Sequence, residues 1–209
     1  MATQTRIGYG QVERQHMAAP HNGQIYAQLP AMEYKDSKWV PIAQLENGQF
    51  LKYDYANGRA GIGTSDDGKE WFLVYNEEKL YDERYQNHRH FAMKAADMSD
   101  GVIYPRLLRT FVGDIFTTNT FKGAATVTDK EGKITDIPDL NIGDYVVIGD
   151  DGWLVKGTGT GTGGVNPPSG TDIVFQVIPH FTQMGMAAAD RPAYTLPDGQ
   201  WAVKLQRIR

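Results

Sequence analysis

With 209 residues the chain is long enough for one large β domain or two small ones, and a compact fold of that size needs no metal or disulfide staple. It has no cysteine, which excludes thiol catalysis, zinc–cysteine sites, iron–sulfur clusters and disulfides. A net charge of −4 argues against a nucleic-acid backbone as partner, and no run of about 18 apolar residues is present to cross a membrane as a helix.

Glycine (23), proline (10) and tyrosine (11), together with abundant threonine and valine, favour strands and tight turns over helices. Residues 1–22 have only isolated apolar positions and no periodicity with which to bury a face. They read as a frayed terminus or as an extended arm that lies across a neighbouring subunit, able to span about 70 Å at ~3.3 Å per residue. Without the apolar core of a signal peptide, this start predicts synthesis in the cytoplasm. Removing residues 1–20 is expected to leave the melting temperature unchanged.

Hairpin signals begin at Asn22-Gly23, with strand candidates at 24–29, 39–45 and 49–53. Asn47-Gly48 between the last two is the strongest short-range hairpin signal in the chain. Asp66-Asp67-Gly68-Lys69 precedes a strand at 70–75, and residues 76–90 are the one helix candidate, with Asn76 as its cap, a charged surface loop being the alternative. Alternation returns at 91–97. Further strands are expected at 107–112, 115–121, 124–128, 144–148, 153–156, 173–178 and 201–208, with a hairpin turn at Asp150-Asp151-Gly152. Residues 157–170 read as a flexible Gly/Thr loop, too far from strand–loop–helix context to cradle a phosphate.

The predicted fold is therefore mainly β, with barrel or sandwich units of short antiparallel strands, an extended N-terminal arm and at most one short helix. The parts are an arm at 1–22, a β-rich region at 23–106 and a barrel-like region at 107–209.

Catalytic constellations are weak. His88 and His90 share one side of a strand, but a third metal ligand from His16, His21, His180, Asp97 or Asp100 has nothing to bring it near. Four serines (Ser37, Ser65, Ser99, Ser169) occupy no nucleophile elbow. The acid pairs Asp66-Asp67 and Asp150-Asp151 each precede a turn glycine. Trp39, Trp71, Trp153 and Trp201 sit in apolar strand runs, where core or interface duty is the default and sugar stacking the rival. The reading is a non-enzymatic protein without cofactor or metal.

Three phrases carry a resemblance: YPRLLRTFVGDIFTTN at 104–119, LNIGDYVV at 140–147 and YTLPDGQWAVK at 194–204, behind a Gln-rich arm. Together they resemble head-associated structural proteins of tailed bacteriophages, the auxiliary proteins that decorate or cement a capsid. The resemblance covers mainly residues 104–209. It implies a virion protein on the outer capsid surface that bridges major capsid protein subunits, with self-association, including a trimer, as a further expectation. An acidic protein suits that outer surface better than the genome-facing interior. Neither nucleic acid nor membrane is an expected partner. Contacts to the capsid are expected from the arm, through Arg6, Ile7, Tyr9, Val12, Arg14 and Met17. The rival readings are a neck, tail or fibre-attachment protein and a carbohydrate-binding module for the host surface.

Overall fold

The computed structural model describes residues 12–18, 25–63, 69–76, 92–95, 104–122, 140–161, 164, 166–170, 173–179, 193–195 and 201–209. The first half runs through β1 (Val12–Ala18), β2 (Ile25–Gln28), β3 (Ala31–Lys35), β4 (Lys38–Pro41), β5 (Gln44–Glu46) and β6 (Phe50–Asp54). A 3-10 turn (Tyr55–Asn57) leads to β7 (Arg59–Ile62), β8 (Trp71–Val74), β9 (Ala92–Lys94) and β10 (Arg106–Leu108). The second half holds β11 (Ile115–Thr118), β12 (Tyr145–Ile148), β13 (Leu154–Gly157), β14 (Val174–Val177), β15 (Ala193–Thr195) and β16 (Trp201–Arg207).

These strands build a mainly β sandwich. The N-terminal sheet has the order β2-β10-β8-β6-β7-β3-β4, antiparallel except where β3 runs parallel to β7. The C-terminal sheet has the order β1-β11-β16-β14-β12-β13, with β15 also on β16. A third, two-stranded sheet joins β5 to β9.

Strands at the middle of the N-terminal sheet are apolar on both faces, and the alternation sorts them into two cores. Phe50, Leu73 and Leu108 face the C-terminal sheet, where they meet Phe116, Phe175, Val177, Val203 and Leu205. Leu51, Phe72, Val74 and Leu107 face the other way, onto Leu45 of β5 and Met93 of β9. The small third sheet is thus the lid of a second core.

Asn47-Gly48 makes a turn but not the expected hairpin. The Gln49 N–H donates to the Glu46 carbonyl (3.3 Å), and only Gly48 has a positive φ (+90°). That is a type II geometry, which splays its flanks instead of matching strand twist. Accordingly β5 leaves for β9 while β6 joins β7 and β8. The true two-residue hairpin lies at Asp36-Ser37, between β3 and β4, where both residues have positive φ (50° and 61°) without any glycine. The run at 39–45, expected as one strand, breaks after Pro41 into two strands of different sheets. β3 and β7 carry no signal that singled them out.

In the C-terminal sheet the Asp150-Asp151-Gly152 turn does join a hairpin, β12 to β13. Two further corners share one design. The Asp114 carboxylate accepts from the Phe111 N–H (2.7 Å), and the Asp144 carboxylate accepts from the Asn141 N–H (2.7 Å). Each has a positive-φ glycine before the aspartate, and each glycine N–H donates to a neighbouring strand, Gly113 to Arg207 and Gly143 to Val177 (2.8 Å each). Since β11, β16, β14 and β12 alternate in direction, the two corners cap opposite ends of the sheet.

Two other segments depart from expectation. Residues 12–18, inside the stretch read as an arm, pair antiparallel with β11 as an edge strand. In the stretch read as a flexible loop, Thr160 and Asn166 exchange backbone hydrogen bonds (2.8 and 2.9 Å), and Arg209 donates to the Pro168 carbonyl. The helix candidate beyond Asn76, the strand expected at 124–128 and the turns at 66–68, 129–133 and 197–199 lie outside the described residues.

Two stability predictions follow from close approach and pairing. Gly152 (φ +77°) lies so near β6 that a Cβ would strike the Phe50 carbonyl, whereas a Cβ on Gly58 (φ +62°) meets nothing. Gly58→Ala should cost only the left-handed backbone strain, about 1 kcal/mol, and Gly152→Ala about 3 kcal/mol or more, read by urea denaturation. Deleting residues 1–20 removes β1 from β11 and should lower the melting temperature by several degrees, in place of the unchanged value expected from a free arm.

Candidate functional site

Of the residues expected to touch a partner, Arg6, Ile7 and Tyr9 lie outside the described residues, while Val12, Arg14 and Met17 fall on β1, the edge of the C-terminal sheet. His88, His90, His21, His180, Asp97 and Asp100 are likewise outside, as are Ser65, Ser99 and Asp66-Asp67; His16 falls on β1. Asp151 serves its turn: one carboxylate oxygen accepts from the Trp153 N–H (3.4 Å) and the other pairs with Lys122 (2.8 Å). Asn76, read as a helix cap, instead accepts from the Arg106 N–H (2.7 Å) and donates to the Tyr104 carbonyl (3.2 Å), tying β8 to β10.

What the fold assembles is aromatic and cationic, on both faces of the N-terminal sheet. On the face toward the C-terminal sheet, no described residue of β3, β4 or β7 belongs to the shared core. There Trp39 lies on Gly61, whose missing side chain admits the indole, and stacks with Tyr34 across the β3–β4 pair (5.3 Å). The Arg59 guanidinium sits 4.0 Å from the Trp39 ring centre. Further along, the Lys52 ammonium lies 5.2 Å from the ring of Trp71, which packs on the core.

Asp54 anchors this corner. Its carboxylate is buried and pairs with Arg59 and Lys69 (3.0 Å each), while Asn57 donates through both backbone and side chain. Burial is the largest single influence and pushes the carboxyl pKa up, yet the bonds from Asn57 and Lys69 together outweigh it and hold it below its ordinary value.

On the opposite face a bulge sets a second cluster. β10 advances one residue, Leu107 to Leu108, while its partner on β2 steps from Ala27 to Ile25. Tyr26 is the extra residue, and its ring reaches Tyr53 (6.0 Å) and Phe72 (5.2 Å). Tyr55 continues the cluster, 6.0 Å from Tyr53. Beside it Arg109 grips Glu70 with two bonds, Nε to Oε1 (3.0 Å) and a terminal nitrogen to Oε2 (2.8 Å). The guanidinium also faces the Tyr26 ring at 5.7 Å.

Nothing in the pattern around Tyr26, Tyr53 and Tyr55 sets these tyrosines apart from the others in the sequence. Tyr53-Asp54-Tyr55 places two of them close in the chain, but the bulge that brings Tyr26 alongside has no mark in the sequence. Chemically the two faces can bind and orient a partner. Among the described residues, no group of three or more His, Asp or Glu is placed to hold a metal, and no helix is long and apolar enough to cross a membrane.

Asp54 generates a pH prediction. Its folded pKa is depressed, so its contribution is complete above the unfolded carboxylate value and is lost as pH falls through the folded value. Stability should decline more steeply in the wild type than in Asp54→Asn between about pH 5 and pH 2. At pH 7 the variant should be weaker by on the order of 1–2 kcal/mol, measured by urea titration at each pH.

In comparisons with known proteins, no family model, no curated protein and no solved structure matches this chain.

Proposed function

We propose that this protein is a non-enzymatic structural component of a tailed-phage virion, seated on the outer capsid surface and bridging major capsid protein subunits. The observation that carries the reading is the corner of Tyr34, Trp39 and Arg59. Tryptophan, tyrosine and arginine are the residues that dominate binding energy at protein interfaces, because they bury large rigid area and keep a polar handle. Here Tyr34 and Trp39 occupy the outermost pair of strands, and Arg59 reaches Trp39 from the adjoining β7, where Asp54 holds it. The edge strand β4 carries Lys38 and ends at Pro41, features that discourage indiscriminate strand pairing and leave recognition to side chains.

The resemblance at 104–119, 140–147 and 194–204 supplies the virion context, and the net charge of −4 agrees with an exterior position. A neck, tail or fibre-attachment role uses the same chemistry at lower copy number. Quantifying the protein against the major capsid protein in purified virions separates the cases. Hundreds of copies per particle support decoration, a dozen or fewer move the protein to the neck or tail, and absence from the particle overturns the reading. In reconstitution with capsids, Trp39→Ala is expected to weaken binding about 30-fold, the equivalent of a 2 kcal/mol hot spot.

A further inference from the structure

We propose that Tyr26, Tyr53 and Tyr55, with the Glu70/Arg109 pair, form a binding site for an uncharged saccharide. This goes beyond the capsid reading and stands independently of it.

Four observations converge. First, the cluster is exposed where aromatic residues are ordinarily covered: Tyr55 is 75% and Tyr26 48% accessible, although both rings pack against the half-buried Tyr53. Second, Tyr26 reaches that cluster only through the β2 bulge, a device that re-aims one side chain at the cost of a ladder bond. A strand needing only to close the sheet edge has no use for it. Third, the polar group beside the rings is rigid and two-sided. The Glu70/Arg109 fork is bidentate, and its side chains remain 33% and 39% exposed, so a carboxylate acceptor and guanidinium donors held in one plane stay partly accessible to a ligand. Fourth, the fork cancels its own charge. That weakens the pull on charged ligands, since phosphate or carboxylate meets the like charge of Glu70 and an ammonium meets that of Arg109.

A saccharide has the matching pattern. Its ring offers a C–H face that packs on an aromatic surface and a rim of hydroxyls that both donate and accept. The Tyr53 and Tyr55 rings, 6.0 Å apart and inclined by 31°, present adjoining stacking surface, Tyr26 meets Tyr53 edge to face (83°) and walls one end of it, and the exposed fork lies within reach of the rim. The Tyr53 phenol is pushed above its ordinary pKa, first by burial and then by its Tyr55 and Tyr26 neighbours, which keeps it a neutral donor.

The test is an array of neutral and anionic oligosaccharides probed with the full-length protein, followed by calorimetric titration of the best neutral oligosaccharide. Binding of at least one neutral oligosaccharide is expected. Tyr55→Ala and Tyr26→Ala should each weaken it about tenfold or more, equivalent to about 1.4 kcal/mol per ring, and Arg109→Gln should weaken it by a similar factor. Tyr34→Ala, on the opposite face, should leave the affinity unchanged. Because Tyr55 projects into solvent, Tyr55→Ala is expected to keep the wild-type melting temperature, so loss of binding there cannot be unfolding. No neutral ligand on the array, a preference for anionic ligands alone, or neutral binding that survives Tyr55→Ala would overturn the proposal. Virion copy number is read separately, so the capsid reading fails or stands on its own measurement.

Discussion

Phe50 is the point at which the two large sheets become one body. Its N–H donates to the Gly152 carbonyl at the tip of the β12–β13 hairpin (2.8 Å), while its ring is fully buried between Phe116 and Phe175 of the facing sheet. Both demands are met only because the preceding residue pair turns sharply and the opposing residue has no side chain. Gly48 is crowded by Thr120, whose hydroxyl donates to the Asn47 carbonyl (3.1 Å). Thr117, Thr118, Asn119 and Thr120 are all completely buried, an unusual run of polar groups for a core; the Thr118 hydroxyl donates to Thr120 and accepts from its N–H, and Thr120 in turn donates to the turn. The seam is therefore polar at its edge and aromatic at its centre. It fixes the sheets in register more strictly than apolar packing alone does.

With that seam in place, the N-terminal sheet can serve two cores. Its middle strands are committed on both faces, and among the described residues the flanks at β2 and at β3–β4 add nothing to the shared core. Tyr26 on one flank and Tyr34 and Trp39 on the other meet aromatic and cationic residues at the ends of the inner strands, held by the Asp54 cluster on one side and the Glu70/Arg109 fork on the other. The rigid interior and the exposed recognition surfaces are thus consequences of a single layout. Function by binding needs such a frame, since side chains held in one geometry lose less entropy on meeting a partner.

The phrases that resemble phage capsid-associated proteins have a structural explanation of their own. Phe111-Val112-Gly113-Asp114 and Asn141-Ile142-Gly143-Asp144 are equivalent corners, each with an aspartate closing its turn and a glycine feeding the neighbouring strand. They carry architecture, and among the described residues the exposed aromatic side chains, Tyr26, Tyr34 and Tyr55, all belong to the other half of the chain. The surfaces proposed for partner and saccharide lie on the N-terminal sheet, for which the sequence offered no motif beyond its tyrosines and tryptophans.

Alternation and turn chemistry are local, and what rests on them was legible: the mainly β class, the strands at β2, β6, β8, β11 through β14 and β16, and the Asp150-Asp151-Gly152 hairpin. Partner choice is not local. Whether Asn47-Gly48 folds β5 onto β6 or sends them apart depends on the backbone of Asn47, which the surrounding sheets hold out of the left-handed region a twisted hairpin needs. Asp36-Ser37 accepts that strained region without a glycine because β3 and β4 are pinned around it. The Tyr26 bulge belongs to the same class, since an extra residue on one strand exists only relative to its neighbour. Composition and period therefore determined what kind of structure this chain makes, while tertiary packing alone decided which strands meet and which side chains share a surface.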